Sequence, residues 1–232
     1  MNLFAETFAW LADPTHWSGS SGIPTRLLEH LLVTVICVVV AAIIALPIGV
    51  WIGHTRRGAG FVGALTGAAR AIPTLGLLTL FGLALGIGLE APILALIVLA
   101  IPSLLAGAYA GVQSVDVSTV AAARAIGMSP SQVIFKVELP LAMPVLIGGL
   151  RAATLQVVAT ATLAAYTSDT GLGRYLFAGL KSRDYPQMLA GSVLVVLLAI
   201  VLEVLLAAVQ RRAAAKASPH RAKTRATSPR PV

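Results

Sequence analysis

Hydrophobic residues are concentrated in long runs along this chain, and short polar or basic breaks separate the runs. A helix needs roughly 20 mostly apolar residues to cross a bilayer core about 30 Å thick, and several of the runs approach or exceed that length. The pattern therefore predicts an all-α membrane bundle with five spans. The predicted spans cover residues 27–53, 73–88, 92–112, 143–165 and 189–209.

The second predicted span is the least regular, because Arg70 and Pro73 interrupt the apolar run of residues 60–88. We expect an interfacial helix as far as Ala71 and a span that begins at Pro73, since proline is favoured in the first turn of a helix. Two spans within this run are the alternative interpretation, and they would raise the total to six.

Basic residues indicate how the spans are oriented, because short cytoplasmic loops are enriched in lysine and arginine. With five spans, the basic loop after the first span, the polar stretch after the third and the C-terminus lie on one side of the membrane. This predicts an extracytoplasmic N-terminus and a cytoplasmic C-terminus. The predicted parts are an extracytoplasmic segment at 1–22, a membrane domain at 23–210 with cytoplasmic helices at about 113–140, and a basic disordered tail at 211–232.

Composition argues against an ordinary soluble domain. Of the 232 residues, 57% are hydrophobic and 11% are charged, whereas soluble domains average about 45–50% apolar and about 25% charged residues. Cys37 is the only cysteine and the four histidines show no ligand spacing, so we expect neither a disulfide nor a metal site. Much of the net charge of +8 lies in the tail, where attraction to anionic lipid headgroups is favoured over nucleic-acid binding.

A polar stretch, AAARAIGMSPSQVIFKVELP at residues 121–140, interrupts this apolar sequence. Its first half predicts a short helix that is capped by Asp116 or Ser118. Gly127 is expected to end that helix, because glycine adopts the left-handed conformation of a helix C-terminus readily.

A second short helix is predicted directly afterwards. Ser129 and Gln132 give the S-x-x-Q pattern of a capping box, and Pro130 occupies the first helical position. Pro140 is expected to end this helix. The two helices and the tight turn between them would make a rigid unit.

Three hypotheses explain a rigid helix pair between apolar spans: a DNA-binding helix-turn-helix, a structured cytoplasmic loop, or a docking element for a cytoplasmic partner. A DNA-binding pair must place its second helix in the major groove. Apolar spans begin within a few residues on either side, so a duplex could hardly approach it. Docking of a partner is therefore the favoured hypothesis.

The spacing of this segment resembles the EAA loop of ABC importer permeases, which reads E-A-A, three residues, Gly, nine residues and I-x-L-P. The spacing matches throughout, but Ala121 stands where the pattern has glutamate, and Arg124 is left without a local carboxylate. The resemblance implies that the segment couples the spans to an ATPase. The residues assigned to this coupling loop are Ala121, Ala122, Ala123, Arg124, Gly127, Ser129, Val137, Leu139 and Pro140.

Stretches at residues 14–34, 71–78, 137–154 and 162–180 also look like the glycine betaine/carnitine/choline branch of these permeases. The resemblance implies a type I ABC importer permease fold, a place in the bacterial plasma (inner) membrane, and import of small quaternary-ammonium osmoprotectants. The third span departs from the pattern, because small residues precede Tyr109 where family members often carry polar ones. A permease for an amino acid such as methionine, or for another betaine-like solute, is the alternative.

The resemblance further implies that the chain acts within a complex. Two permease chains, either two copies of this one or this chain and a homologue, would enclose the pathway within membrane lipid. A cytoplasmic ABC ATPase dimer would bind ATP and Mg²⁺, and an extracytoplasmic solute-binding protein would deliver the solute. No nucleic-acid partner is expected.

The chain shows neither a phosphate-binding G-x-x-x-x-G-K-[ST] motif nor an arrangement of nucleophile and base. We therefore expect a permease subunit with no catalytic residues and no cofactor of its own. A channel or a secondary transporter that works alone is a further alternative. Such transporters usually have internal repeats and titratable pairs inside the membrane, and neither is evident in this sequence.

Polar residues in the later spans are candidates for the translocation pathway. Arg151 lies in the fourth span, where a charge is costly, and it either lines the pathway or extends to the cytoplasmic surface. Glu203 in the fifth span would pair with an arginine or face water. The pathway candidates are Pro73, Arg151, Gln156, Thr160 and Thr162, and hydrogen bonding between helices is the alternative role for the last three.

The loop at residues 167–187 is predicted on the outer side, where it would form a gate or a surface for the binding protein. Its candidate gate residues are Asp169, Gly171 and Gly173. Glu29 and His30 are expected in the interfacial region at the outer edge of the first span.

Overall fold

A computed structural model describes residues 2–217, and within them it contains ten α-helices and no strand, as the all-α prediction requires. The helices are α1 (Leu3–Ala12), α2 (Ile23–Thr55), α3 (Ala59–Ala71), α4 (Thr74–Leu85), α5 (Glu90–Gln113), α6 (Val117–Ala125), α7 (Pro130–Val133), α8 (Leu139–Thr160), α9 (Gly173–Ser182) and α10 (Tyr185–Ala217). Two 3₁₀ helices, Pro14–Trp17 and Ala161–Tyr166, and a π-helical turn, Ile134–Glu138, lie between them.

Four stretches are long and apolar enough to cross a membrane, namely α2, α5, the run Pro130–Tyr166 that contains α8, and α10. They confirm the first, third, fourth and fifth predicted spans. The helices α3 and α4 meet at 84° and make a fifth candidate only as one bent pair. At 1.5 Å per residue the 12 residues of α4 extend about 18 Å, too short for a bilayer core by themselves. Within the described residues there is no sixth candidate.

The outer faces of these helices carry large exposed apolar side chains, including Ile43 and Trp51 of α2, Leu83 of α4 and Val204 of α10. Exposed apolar surface on this scale is typical of contact with lipid or with another protein. Together with the four long apolar helices, it identifies a multi-pass membrane protein.

Helix α5 packs against α2, α3, α4 and α8, and α10 packs against α8. The crossing of α5 and α8 is especially close at Gly107 and Gly149, since a Cβ on Gly107 would lie 2.6 Å from the Gly149 Cα. Small residues allow helix backbones to approach in this way in lipid. The crossing fixes α8, and with it the short helices that precede α8 in the chain.

The prediction that Pro140 ends the second short helix is wrong. From Pro130 to Tyr166 the chain forms one continuous helical run, and Pro140 is the second residue of α8. The π-helical turn Ile134–Glu138 immediately precedes it. Proline is tolerated within membrane helices where local π adjustments satisfy the freed backbone groups, which gives a physical reason for the continuity.

The predicted start of a disordered tail at residue 211 is also wrong. Helix α10 continues to Ala217, so about two more turns are helical than expected. All seven residues added are alanine, arginine or lysine, which have high intrinsic helix propensity. The remainder of the predicted tail, residues 218–232, lies outside the described residues.

Candidate functional site

The first short helix of the 113–140 segment is α6, and its caps follow the sequence signals. The Ser118 N–H donates to the Asp116 carboxylate at 2.7 Å, which makes Asp116 the N-cap. Hydrogen bonds from the Ser118 backbone and side chain lower the pKa of the Asp116 carboxyl. At the other end Gly127 has φ +88°, and the Met128 N–H donates to the Ala123 carbonyl at 3.2 Å. This closing bond is that of a Schellman motif.

The second short helix begins with the predicted capping box. The Ser129 N–H donates to the Gln132 side chain at 2.9 Å, and the Gln132 N–H donates to the Ser129 hydroxyl at 3.4 Å. Val133 just beyond the box is fully buried and packs with Val120 and Ala123 of α6. The turn between α6 and α7 is therefore held both by hydrogen bonds and by a small apolar core.

The assigned coupling residues divide between this core and the outward surface. Ala123 is buried and Val137 packs against the core, whereas Ala121, Ala122 and Arg124 are exposed. Three large apolar side chains of the same segment are also exposed, namely Val117, Ile126 and Phe135. The outward surface of the segment is thus mainly apolar, and α6 contributes one arginine, Arg124, to it.

A buried side-chain hydrogen bond that the sequence did not predict ties this segment to α2. The carboxylate of Glu138 lies 2.6 Å from His54 Nδ1, and Glu138 is only 2% exposed. The Arg56 guanidinium also donates to the Val115 carbonyl at 3.1 Å. The cytoplasm-facing end predicted for α2 is thereby connected to both ends of the segment. Glu138 occupies an unspecified position in the I-x-L-P part of the motif, so its spacing gave no signal.

A cavity of about 640 Å³ lies between the end of α2 and α6. Three arginines line it, Arg56, Arg57 and Arg124, together with Ala121 and the paired Glu138. Among the described residues, Arg57 and Arg124 take part in no ion pair. The cavity therefore has an excess of positive charge.

Arg151 of α8 is about a third exposed and contacts α10, and its two predicted roles stay predictions. Its guanidinium forms an ion pair with Glu203 of α10, in which Nε donates to the carboxylate at 2.6 Å, and it also donates to Gln210 at 2.9 Å. Gln210 in turn donates to the Pro144 carbonyl at 2.9 Å. Pairing removes much of the cost of a charge in the membrane. Arg151 therefore joins two helices. Glu203 was predicted either to pair with an arginine or to face water, and in the structure it pairs with Arg151.

The remaining pathway candidates make local hydrogen bonds. Ser103 of α5 donates to the Gln156 side chain at 3.0 Å, as the alternative of helix–helix bonding predicted. Thr160 and Thr162 donate to carbonyls of their own chain three or four residues earlier. Pro73 lies elsewhere, at the break between α3 and α4. The structure does not gather the five candidates into one site.

Two of the three candidate gate residues, Asp169 and Gly171, contact the start of α2. Arg26 is 4% exposed and donates to the Asp169 carboxylate at 3.2 Å, and Arg174 pairs with the same carboxylate at 2.7 Å. The Gly171 N–H donates to Glu29 at 2.8 Å. We call these five residues the α2 N-terminal cluster. Arg26 was not among the predicted site residues, because no local sequence pattern indicates its distant partner Asp169.

Two glycines of this loop lie where a side chain would not fit. Gly171 has φ +75°, and a Cβ there would lie 3.2 Å from His30 Nδ1. At Gly173 a Cβ would collide with the Thr162 carbonyl. His30 itself is 1% exposed, with Nε2 3.0 Å from the Val158 carbonyl. The glycine loop and α8 therefore cover His30, and its expected depth in the interfacial region stays a prediction.

No group of three histidine, cysteine, aspartate or glutamate side chains converges in the way a metal ion requires, within the part of the chain that the structure describes.

The sequence and fold match known transport proteins. The chain is 33% identical over 184 residues to the choline transport system permease protein OpuBB of Bacillus subtilis, covering 79% of this chain and 85% of the relative. It is 34% identical over 188 residues to the glycine betaine/carnitine/choline transport system permease protein OpuCB of the same organism, covering 81% and 87%.

The fold resembles a chain of the MetNI methionine ABC transporter in an inward facing conformation, with TM-score 0.73, 24% identity, and coverage of 87% of this chain and 99% of that one. The predicted type I ABC importer permease fold is confirmed by this likeness. The profile of one family, described as binding-protein-dependent transport system inner membrane component, matches residues 45–215. Since that match includes most of the membrane helices, the chain belongs to the family of binding-protein-dependent transport system inner membrane components.

Proposed function

We propose that this protein is the permease subunit of an ATP-driven importer for small quaternary-ammonium solutes such as glycine betaine, choline or carnitine. The observation that carries the proposal is the capped helix pair at 113–140, whose second helix is continuous with α8 and whose outward apolar residues are exposed. The identity to OpuBB and OpuCB supports the choice of solute, because it extends over about four-fifths of the chain.

In this proposal a cytoplasmic ATPase dimer binds the outward surface of α6 and α7 and supplies ATP hydrolysis. Closure of the ATPase dimer displaces the helix pair as a rigid body, and α8 moves with it because no flexible residue intervenes. Rigid-body displacement between two states is a common way to alternate access across a membrane. A second permease chain completes the pathway, and an extracytoplasmic solute-binding protein delivers the solute.

The proposed orientation places the N-terminus outside and the C-terminus in the cytoplasm. Arg56, Arg57, Arg124 and Lys136 then lie on the cytoplasmic side, as the positive-inside rule expects. The α2 N-terminal cluster lies on the opposite side, where the binding protein would dock.

The test is uptake by proteoliposomes that contain the full complex with its ATPase and binding protein. Radiolabelled glycine betaine should enter only with ATP, and excess choline or carnitine should compete while methionine should not. Competition by methionine alone would favour an amino-acid permease. Uptake by this chain without ATP or the ATPase would overturn the proposal in favour of a transporter that works alone.

A further inference from the structure

The arginine-lined cavity beside α6 has a charge that this chain leaves uncompensated. Arg56 is held in position by its hydrogen bond to the Val115 carbonyl, and Arg57 and Arg124 line the same cavity without an ion pair among the described residues. The one carboxylate in the lining, Glu138, is already paired with His54. An acidic group from another molecule would therefore find two free guanidinium groups here.

The residue at position 121 explains why the cavity is open. Ala121 lines the cavity and is exposed. It lies one turn before Arg124, at the i, i+3 spacing at which a carboxylate and an arginine pair on a helix. A glutamate at this position would fill part of the space and pair with Arg124 within the chain. With alanine there, the space and the charge remain for an outside group.

We infer that a carboxylate side chain of the cytoplasmic ATPase inserts into this cavity and pairs with Arg124 and Arg57. The inference rests on the proposed function. It assigns the carboxylate of the contact to the ATPase and the two arginines to the permease. Val117, which lines the cavity, is one of the exposed apolar residues of α6, so the cavity is continuous with the surface proposed to bind the ATPase. Guanidinium groups bind carboxylates with two parallel hydrogen bonds, which would fix the orientation of the partner.

The test uses the Arg124→Lys variant in the assembled complex. Lysine keeps the charge and supplies an amine, so a zero-length carbodiimide should join position 124 to an aspartate or glutamate of the ATPase, as located by mass spectrometry. The Arg124→Gln variant has no amine and should give no such product. A complex that transports but whose position 124 joins only Glu138, or a lipid carboxylate, or nothing, would overturn the inference while leaving the proposed function intact. Failure of any ATPase to assemble with the wild-type chain would overturn both.

The Ala121→Glu variant gives an independent result. Its carboxylate should occupy the cavity, compete with the partner and lower ATP-driven uptake several-fold. Arg211→Gln removes an exposed arginine at the end of α10, away from the cavity, and serves as the control with unchanged uptake. Equal or higher uptake by Ala121→Glu would contradict the inference.

Discussion

At the scale of single residues, the buried pair of Glu138 and His54 is the contact that best explains how the 113–140 segment is held. A carboxyl group that is 2% exposed needs a partner, because a buried polar group without a hydrogen bond is destabilising. His54 supplies the partner from the last turn of α2. The pair thus fixes the end of one span to the end of the segment.

A double-mutant cycle tests this pair. Glu138→Gln and His54→Gln should each lower thermal stability in detergent, and the double variant should lose less than the two single losses added together. We expect a coupling energy of about 1–3 kcal/mol, the usual cost of leaving a buried polar group unsatisfied. Strictly additive losses would show that the two side chains do not interact.

The pair of Arg151 and Glu203 leads to a second prediction. Arg151→Met should reduce the yield of folded protein because it leaves Glu203 without its charge partner between α8 and α10. Adding Glu203→Leu should restore the yield, since an apolar pair of similar volume can replace an ion pair that is only about a third exposed. The yield is measured by size-exclusion chromatography in detergent. No recovery in the double variant would mean that Arg151 does more than neutralise Glu203.

The residues that sequence reasoning located correctly are those with local signals. Asp116, Gly127, Ser129 and Gln132 act within a few residues of themselves, so their spacing predicts their hydrogen bonds. His54 and Glu138 are 84 residues apart, and no local pattern indicates that the fold brings them together. Arg26 and its partner Asp169 are also far apart in the sequence, so no local pattern predicts their contact.

At the scale of helices, the important feature is the continuity from α7 through the π-helical turn into α8. Because Pro140 does not end the helix, a displacement at α7 passes directly to a membrane span. The sequence predicted the helix pair but not this continuity, since proline usually signals a helix end and the π-helical turn that accommodates it has no sequence signature of its own.

Gly127 is the residue on which the turn depends. A Cβ there would meet nothing within 4 Å, so the effect of a substitution comes from the φ of +88° alone. Gly127→Val should loosen the turn, and ATP hydrolysis should then continue with greatly reduced uptake while membrane insertion stays normal. Gly60→Ala, also without a neighbour within 4 Å, is the matched control because its backbone conformation is ordinary. Normal uptake by Gly127→Val would refute a coupling role for the turn.

At the scale of the whole molecule, hydropathy predicts the number and the order of the long helices because each span needs a continuous apolar run. Four of the five predicted spans correspond to long continuous helical stretches, and the second, residues 73–88, falls in the bent pair α3–α4. What hydropathy leaves open is how α8 and α10 pair through Arg151 and Glu203, since that depends on helix rotation.

The orientation can be tested with single cysteines in a Cys37→Ala background. Ser18→Cys and Ser131→Cys place thiols at two exposed positions that the proposed topology assigns to opposite sides. A membrane-impermeant maleimide should label position 18 in intact cells and position 131 only after permeabilisation. Labelling of position 131 in intact cells would reverse the proposed orientation.

The central claim is that the 113–140 segment is the surface through which an ATPase moves the spans. Ile126 is 81% exposed at the turn between α6 and α7, so a photo-crosslinking residue at this position reports what binds there. In membranes that contain the assembled complex, the account predicts a crosslink to the ATPase. A crosslink to the solute-binding protein instead, or none to the ATPase while the complex transports its solute, would contradict it.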